Sequence, residues 1–175
     1  MLIRTPRLEI VSWGIEPLRA AVANPANLPH LLNAVIPENW PAPMLGEVLP
    51  LFLKKTEEDD RLVNWLLWSW LSMEPYSGKR TLIGDGGYKN IPDAAGAVEI
   101  GCAVLPQFQR HGYATEGIAG LVRHAFSIKG ITTVYADTDT SNIGARRALE
   151  KCGFVECGPG AEQGTIRYDI RFSQI

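Results

Sequence analysis

Between residues 98 and 126 the side-chain pattern changes its period, and that change limits the folds open to this chain. Val98-Glu99-Ile100-Gly101-Cys102-Ala103-Val104-Leu105 is rich in β-formers, contains no proline, and reads as a strand. From Ala114 onward apolar residues recur every three or four positions, at Ile118, Leu121, Val122, Ala125 and Phe126, which predicts a helix with one apolar face. Between the two runs lies Gln109-Arg110-His111-Gly112-Tyr113-Ala114-Thr115-Glu116. A glycine at a strand–helix junction lets backbone N–H groups approach an anion closely, with the positive end of the helix behind them. The junction therefore predicts an α/β domain carrying a phosphate cradle.

The 175 residues suffice for one domain with a proper core, and we read residues 1–175 as a single unit. A formal net charge of -2 leaves no basic footprint, which argues against nucleic acid as the main partner. The cysteines, Cys102, Cys152 and Cys157, are odd in number and form no C-x-x-C pair, so neither a disulfide framework nor a metal site is expected. Residues 1–6 lack the apolar segment of a signal peptide. The densest apolar run, residues 65–71, falls far short of the ~20 residues of a spanning helix. The expectation is a soluble, cytoplasmic protein with no membrane partner.

Upstream of the junction, residues 7–13 alternate as a strand, and residues 16–24 and 28–35 favour two short helices. Three prolines within residues 37–43 make a stiff loop, whose Trp40 either lines a cleft or packs on the core. Residues 46–60 read as helix. Residues 65–73, with three tryptophans, read as a strand buried on both faces, returning through a turn at 75–78. The return strand, residues 80–88, holds three glycines and so predicts a bulge or a close backbone approach. Downstream, Gly130 is a helix C-cap candidate, and residues 132–137 form a strand. Asn142 offers an N-cap for a helix reaching about residue 151, which Gly153 ends with Phe154 folding back. Residues 154–157 and 165–172 close the chain as two strands across Gly158-Pro159-Gly160.

Competing phosphate motifs do not fit the junction. A mononucleotide P-loop continues with Lys-Ser/Thr after its last glycine, where this chain has Tyr113-Ala114-Thr115. The dinucleotide fingerprint G-x-G-x-x-G is absent there. Gln109-Arg110-His111-Gly112-Tyr113-Ala114 instead resembles the acyl-CoA loop of the GNAT acyltransferases, Q/R-x-x-G-x-G/A. The resemblance extends through Arg4-Thr5-Pro6-Arg7-Leu8-Glu9-Ile10, Leu82-Ile83-Gly84-Asp85-Gly86-Gly87 and the Asn142-to-Phe154 segment, and looks closest to the RimJ/RimL type of N-acetyltransferase. It implies a GNAT-like α/β (α+β) fold, a mixed and strongly twisted sheet with two splayed parallel strands flanked by helices. Acetyl-CoA, the acyl-donor cosubstrate, would lie in the splay. Its pantetheine arm would bond to the backbone of Ala103, Val104 and Leu105. Its pyrophosphate would sit on the N–H groups of Gln109, Arg110, His111, Gly112, Tyr113, Ala114 and Thr115, with Asn142 a further contact. No metal is implied.

The implied reaction is attack of a primary amine, on a protein N-terminus, peptide or small molecule, upon the thioester. It needs a neutral amine and donors for the developing oxyanion. Glu99 matches a strand carboxylate that serves some relatives as general base; otherwise it balances a nearby cation. An α-amine with a pKa near ~8 is about one-tenth neutral at pH 7, a lysine near ~10.4 only about once in a few thousand molecules. The chain also departs from the pattern. Where relatives carry a proton-donating tyrosine or serine, it has Leu149 and Ala145, neither able to donate. Ser141, Tyr135 or water are the substitutes, and a non-catalytic CoA-binding module is the alternative function. Cys102 is expected as a buried small hydrophobe. The acceptor pocket is expected from residues 28–44 and 65–88, where Trp40, Trp68 and Trp70 either line it or fill the core. A homodimer is the family-level expectation.

Overall fold

The computed structural model describes residues 1–74 and 77–174. Eight strands form it: β1 (Leu2–Arg4), β2 (Leu8–Ser12), β3 (Trp68–Met73), β4 (Arg80–Tyr88), β5 (Ala97–Val104), β6 (Thr133–Asp139), β7 (Val155–Pro159) and β8 (Thr165–Arg171). They lie in the order β1-β2-β3-β4-β5-β6-β8-β7. Five helices cover the sheet: α1 (Ile15–Ala23), α2 (Leu28–Leu32), α3 (Pro43–Glu58), α4 (Tyr113–Ser127) and α5 (Ile143–Lys151). Every strand pair is antiparallel except β5 with β6. That parallel ladder joins only Ala97 to Thr133, Val98 to Val134 and Glu99 to Tyr135. Beyond Glu99, β5 stays with β4 as far as Val104, while β6 stays with β8 as far as Asp139. The sheet is continuous at one end of this seam and split at the other.

Two cores hold the layers. On one face Ile10, Trp68, Trp70, Ile100, Val134 and Tyr168 pack with Ile118, Leu121, Val122 and Ala125 of α4. Gly117 permits this contact, because a Cβ there would collide with the Trp70 ring. On the other face Leu71, Leu82 and Leu105 meet Leu18, Leu28, Leu32, Leu45 and Leu49 from the three N-terminal helices, with Trp13 and Trp40. Each such aliphatic side chain contributes about 1.5–3 kcal/mol when fully buried. Trp68 and Trp70 therefore fill the core, and alternation sends Ser69 and Leu71 to the opposite side.

The α5 caps match the sequence reading. The Asn142 side chain accepts from Ala145 N–H at 3.1 Å. At the far end Gly153 is left-handed (φ 88), Gly153 N–H donates to Glu150 O and Phe154 N–H to Leu149 O, which is a Schellman cap.

Several boundaries differ. β1 is an added strand, too short to carry a sequence period. The tryptophan strand starts at Trp68, because residues 65–67 turn and bend instead. α3 begins earlier than expected, with Pro43 in its first turn, where a missing N–H costs nothing. α2 stops at Leu32 because Asn33 turns left-handed (φ 46). Gly130 is not the C-cap of α4, which ends at Ser127 with Ile128 in extended backbone. Gly158 and Pro159 lie inside β7, and the final turn falls at residues 160–164. Pro75 and Tyr76 of the expected 75–78 turn lie outside the described residues.

Candidate active site

The split between β5 and β6 opens a cleft of about 600 Å³, walled by the first turns of α4 and by α5. The pairing of β4 with β5 decides which backbone groups face it. Lys89 N–H donates to Glu99 O and Leu105 N–H to Ile83 O, both at 2.9 Å. In an antiparallel ladder such bonded pairs alternate with unbonded ones. Residues 99, 101, 103 and 105 therefore spend their backbone groups on β4, and Ile100, Cys102 and Val104 turn theirs toward the split. Val104 O is taken by the Gln109 side chain, whose Nε2 donates to it at 2.9 Å. The open edge consists of Cys102 N–H and C=O with Val104 N–H. This moves the expected backbone contacts by one residue: Val104 stays, Cys102 joins it, and Ala103 and Leu105 present no backbone group. Ala103 still lines the cleft, whereas the Leu105 side chain is buried in the other core.

Beyond β5 the chain forms the cradle. Arg110 (φ 65) and Gly112 (φ 82) are both left-handed, a conformation rare for a residue with a Cβ such as Arg110. Left-handed residues alternating with ordinary ones turn successive N–H groups toward one point, the geometry of an anion nest. Among the described residues no side chain caps α4, so the amides of its first turn are left open by them. Gln109, Arg110, Gly112, Tyr113, Ala114 and Thr115 line the cleft together with Asn142; His111 does not.

A contact distant in sequence holds the cradle in place. The Glu116 carboxylate accepts from Thr5 Oγ1 at 2.5 Å, from Arg7 N–H at 2.7 Å and from Arg7 Nε at 2.7 Å. Arg7 also donates to His111 O at 2.9 Å, and its guanidinium lies over the Tyr113 ring, 4.6 Å from the centroid. Burial alone would raise the Glu116 carboxyl, but the bonds from Thr5 and Arg7 outweigh it and hold the group below the usual carboxylate range. The Glu116 clamp was not visible in the sequence, since its partners lie more than a hundred residues away.

Two carboxylates flank β5 on the face away from α4. Glu99 is ion-paired with Lys89 and is not part of the cleft wall. Asp85, the ladder partner of Ala103, is 7 % exposed. Trp40 Nε1 donates to its Oδ2 at 3.3 Å, and its Oδ1 has no hydrogen bond among the described residues. Burial pushes the carboxyl up to about 7, with the Trp40 bond acting in the opposite direction. The sequence signal for Asp85 was there to find: an acid in the middle of an apolar, glycine-rich strand. Those glycines serve close approach, since a Cβ on Gly84 would strike Ala103 O and one on Gly86 would come within 2.9 Å of Cys102 Cβ.

Residues 20–155 match the family model of the acetyltransferase (GNAT) domain. The chain belongs to the GNAT acetyltransferase family. It is 26% identical over 155 residues to the uncharacterized N-acetyltransferase YjdG of Bacillus subtilis, covering 89% of this chain and 90% of that one. Among solved structures it resembles a GNAT-family acetyltransferase from Bordetella pertussis (TM-score 0.65, 19% identity, 97% of this chain and 98% of the other). It also resembles the microcin C7 self-immunity acetyltransferase MccE, solved in complex with acetyl-CoA and AMP (TM-score 0.63, 17% identity, 96% and 94% covered). At these identities the structural likeness is one of fold.

In this GNAT domain the residues present suit acetyl-CoA as acyl donor: an open strand edge for an amide-bearing arm leads into an uncapped helix start for phosphate. The expected proton donors are not in the cleft. Ala145 and Leu149 line it without an O–H between them. Ser141 Oγ bonds Asp139 at 2.5 Å, and Tyr135 lies beneath the Arg167 guanidinium, 4.4 Å from its ring centroid; neither lines the cleft. Cys102, expected to be buried, opens into the cleft. Protein close to its sulfur and the neighbouring charge of Asp85 push the thiol upward, which disfavours the thiolate. Among the described residues no group of three His, Cys, Asp or Glu side chains could hold a metal ion, and no helix is long and apolar enough to cross a membrane.

Proposed function

We propose that this chain is an acetyl-CoA-dependent N-acetyltransferase of the RimJ/RimL type that acetylates a primary amine. The observation that carries the proposal is the single cleft in which the open edge of β5 runs into the uncapped, left-handed start of α4. Cys102 and Val104 hold the pantetheine arm, and the amides of residues 110–115 hold the pyrophosphate. The thioester is thereby fixed at the end of the split farthest from the cradle, beside the ladder that joins β5 to β6. A neutral amine attacks the carbonyl, the new C–N bond forms as the C–S bond breaks, and the amine proton passes out as the thiolate leaves. Glu99 is the base the resemblance offers, with Lys89 as its fixed counter-charge. Since Ala145 and Leu149 cannot protonate the leaving sulfur, water does so. A cytoplasmic setting goes with this reading, as the three cysteines are free.

The test is thiol release from acetyl-CoA with alaninamide, Nα-acetyl-lysinamide and spermidine, alongside calorimetry of acetyl-CoA binding and light scattering for a homodimer. Turnover with at least one amine is expected, fastest with alaninamide, whose amine is the most often neutral. Tight binding without turnover on any amine would favour the second reading, a non-catalytic CoA-binding module, for which the loss of both family proton donors speaks. Absence of binding would sink both.

A further inference from the structure

Charge is spread unevenly around the cleft. Among the described residues the one carboxylate lining it, Asp137, is neutralised by Arg167, which donates to both its oxygens at 2.7 Å. Three exposed cations line the same cleft: Arg110 in the cradle loop, and Arg147 and Lys151 on α5. Among the described residues none of these three side chains has a hydrogen bond or an acidic partner, whereas Arg7 is held by Glu116 and Arg146 by Glu156. Arg147 and Lys151 are four residues apart and share a face of α5, where like charges oppose each other and weaken a helix. The dipole at the end of α5 accounts for Lys151 but not for Arg147, which lies mid-helix. Cys152 Sγ donates to Thr115 O at 3.2 Å, which sets the end of α5 against the first turn of α4. The two α5 cations therefore border the amide cradle from one side.

We propose that Arg110, Arg147 and Lys151 form a second anion site, separate from the amide cradle, that takes a phosphate monoester: the 3′-phosphate of the nucleotide donor. The site makes the protein select CoA over dephospho-CoA. The inference rests on the acetyl-CoA reading and adds the part of the donor that the backbone does not distinguish. Amides at a helix start supply partial charges, which suit a pyrophosphate held close against them. A terminal monoester differs, because its second pKa is near about 6 and it carries about −1.5 to −2 at pH 7. Full positive charges match it better than partial ones. Two guanidinium forks and a flexible ammonium also suit its free oxygens, each able to accept several charge-assisted bonds. An anion seated between Arg147 and Lys151 turns their mutual repulsion into a shared attraction. Arg110 serves twice, its N–H in the cradle and its guanidinium in the second site.

The test is calorimetry with CoA and dephospho-CoA, which differ only in the 3′-phosphate, on the wild type and on the double variant Arg147→Gln/Lys151→Gln. Both positions are exposed on a helix, so the variant folds, and its thermal melt should lie at or above the wild type's once the repulsion is gone. The wild type should bind CoA about ten-fold tighter than dephospho-CoA, the scale of two or three solvent-exposed charge contacts. The double variant should lose most of that preference by weakening for CoA, with dephospho-CoA held within about two-fold. Arg110→Gln keeps the cradle amide and should cut the preference about two- to three-fold. In about 1 M salt, where charges are screened beyond about 3 Å, the wild-type preference should shrink. Equal wild-type affinity for the two ligands overturns the proposal and leaves the acetyl-CoA reading standing. An equal loss of both ligands in the double variant also overturns it, since the cations then serve the pyrophosphate. A preference unchanged in that variant overturns it too, and leaves the three as solvated surface charges. If the wild type binds neither ligand, the acetyl-CoA reading falls and the proposal falls with it.

Discussion

The two faces of β5 are built from different materials. Toward α4 and α5 the site is mostly backbone: the free groups of Cys102 and Val104, two left-handed residues and an uncapped helix start. Toward the N-terminal helices it is side chain: a buried acid, an indole and an ion pair. Backbone donors bind an anion without regard to what is attached beyond it, which suits a cosubstrate shared across a family.

The sharpest way to break the comparison is through the buried acid. The Asp85 carboxyl is raised in the folded protein from 3.8 to about 7. Protonated Asp85 is well accommodated below the unfolded value, and stability is lost as pH rises through the folded one. Three units correspond to about 4 kcal/mol at most. Asp85→Asn is therefore expected to be more stable than the wild type at pH 8 by up to about that amount and nearly equal to it at pH 4, as read by urea denaturation. Equal midpoints at both values would mean that burial does not raise the Asp85 carboxyl.

A smaller effect is expected on the backbone side. Glu116→Gln weakens the charge-assisted bonds to Thr5 and Arg7, each worth about 1.5–3 kcal/mol. Some bonding survives in the variant, so a net loss of about 2 kcal/mol is expected at pH 7. Because the Glu116 carboxyl is lowered in the fold, the wild type's advantage is present above the unfolded carboxylate value and fades as pH falls through the folded one. Thermal melts at pH 7 and pH 3 would show a gap that closes in acid. Smallest is Gly112→Ala. The φ of 82 and an Arg7 guanidinium nitrogen 3.3 Å from the new Cβ impose about 1 kcal/mol, and calorimetry should find acetyl-CoA binding about five-fold weaker with kcat at saturation unchanged.

The same division governs what could be read in the sequence. A strand–helix junction needs only neighbours in order, so Gly112 and the α4 periodicity point to it, as Asn142 and Gly153 do to the ends of α5. The open edge was found one residue out of phase, because which amides of β5 are free is decided by β4 across the ladder. Arg7 with Glu116, and Trp40 with Asp85, unite residues 109 and 45 positions apart. No local pattern encodes those meetings. Trp40 could be read either as core or as cleft lining, and its ring is in the core while its N–H reaches the acid.

The three-residue ladder between β5 and β6 has a consequence for solubility. An unpaired strand edge at the rim of a sheet invites pairing with other chains. Here the unfinished edge lies mid-sheet, in the cleft between α4 and α5 rather than at the rim, where a flat strand from another chain has less room to pair. A slender ligand with amides of its own can enter and would complete the sheet as a non-protein strand. The fold thus moves an adhesive edge from the rim of the sheet into a cleft sized for a small molecule.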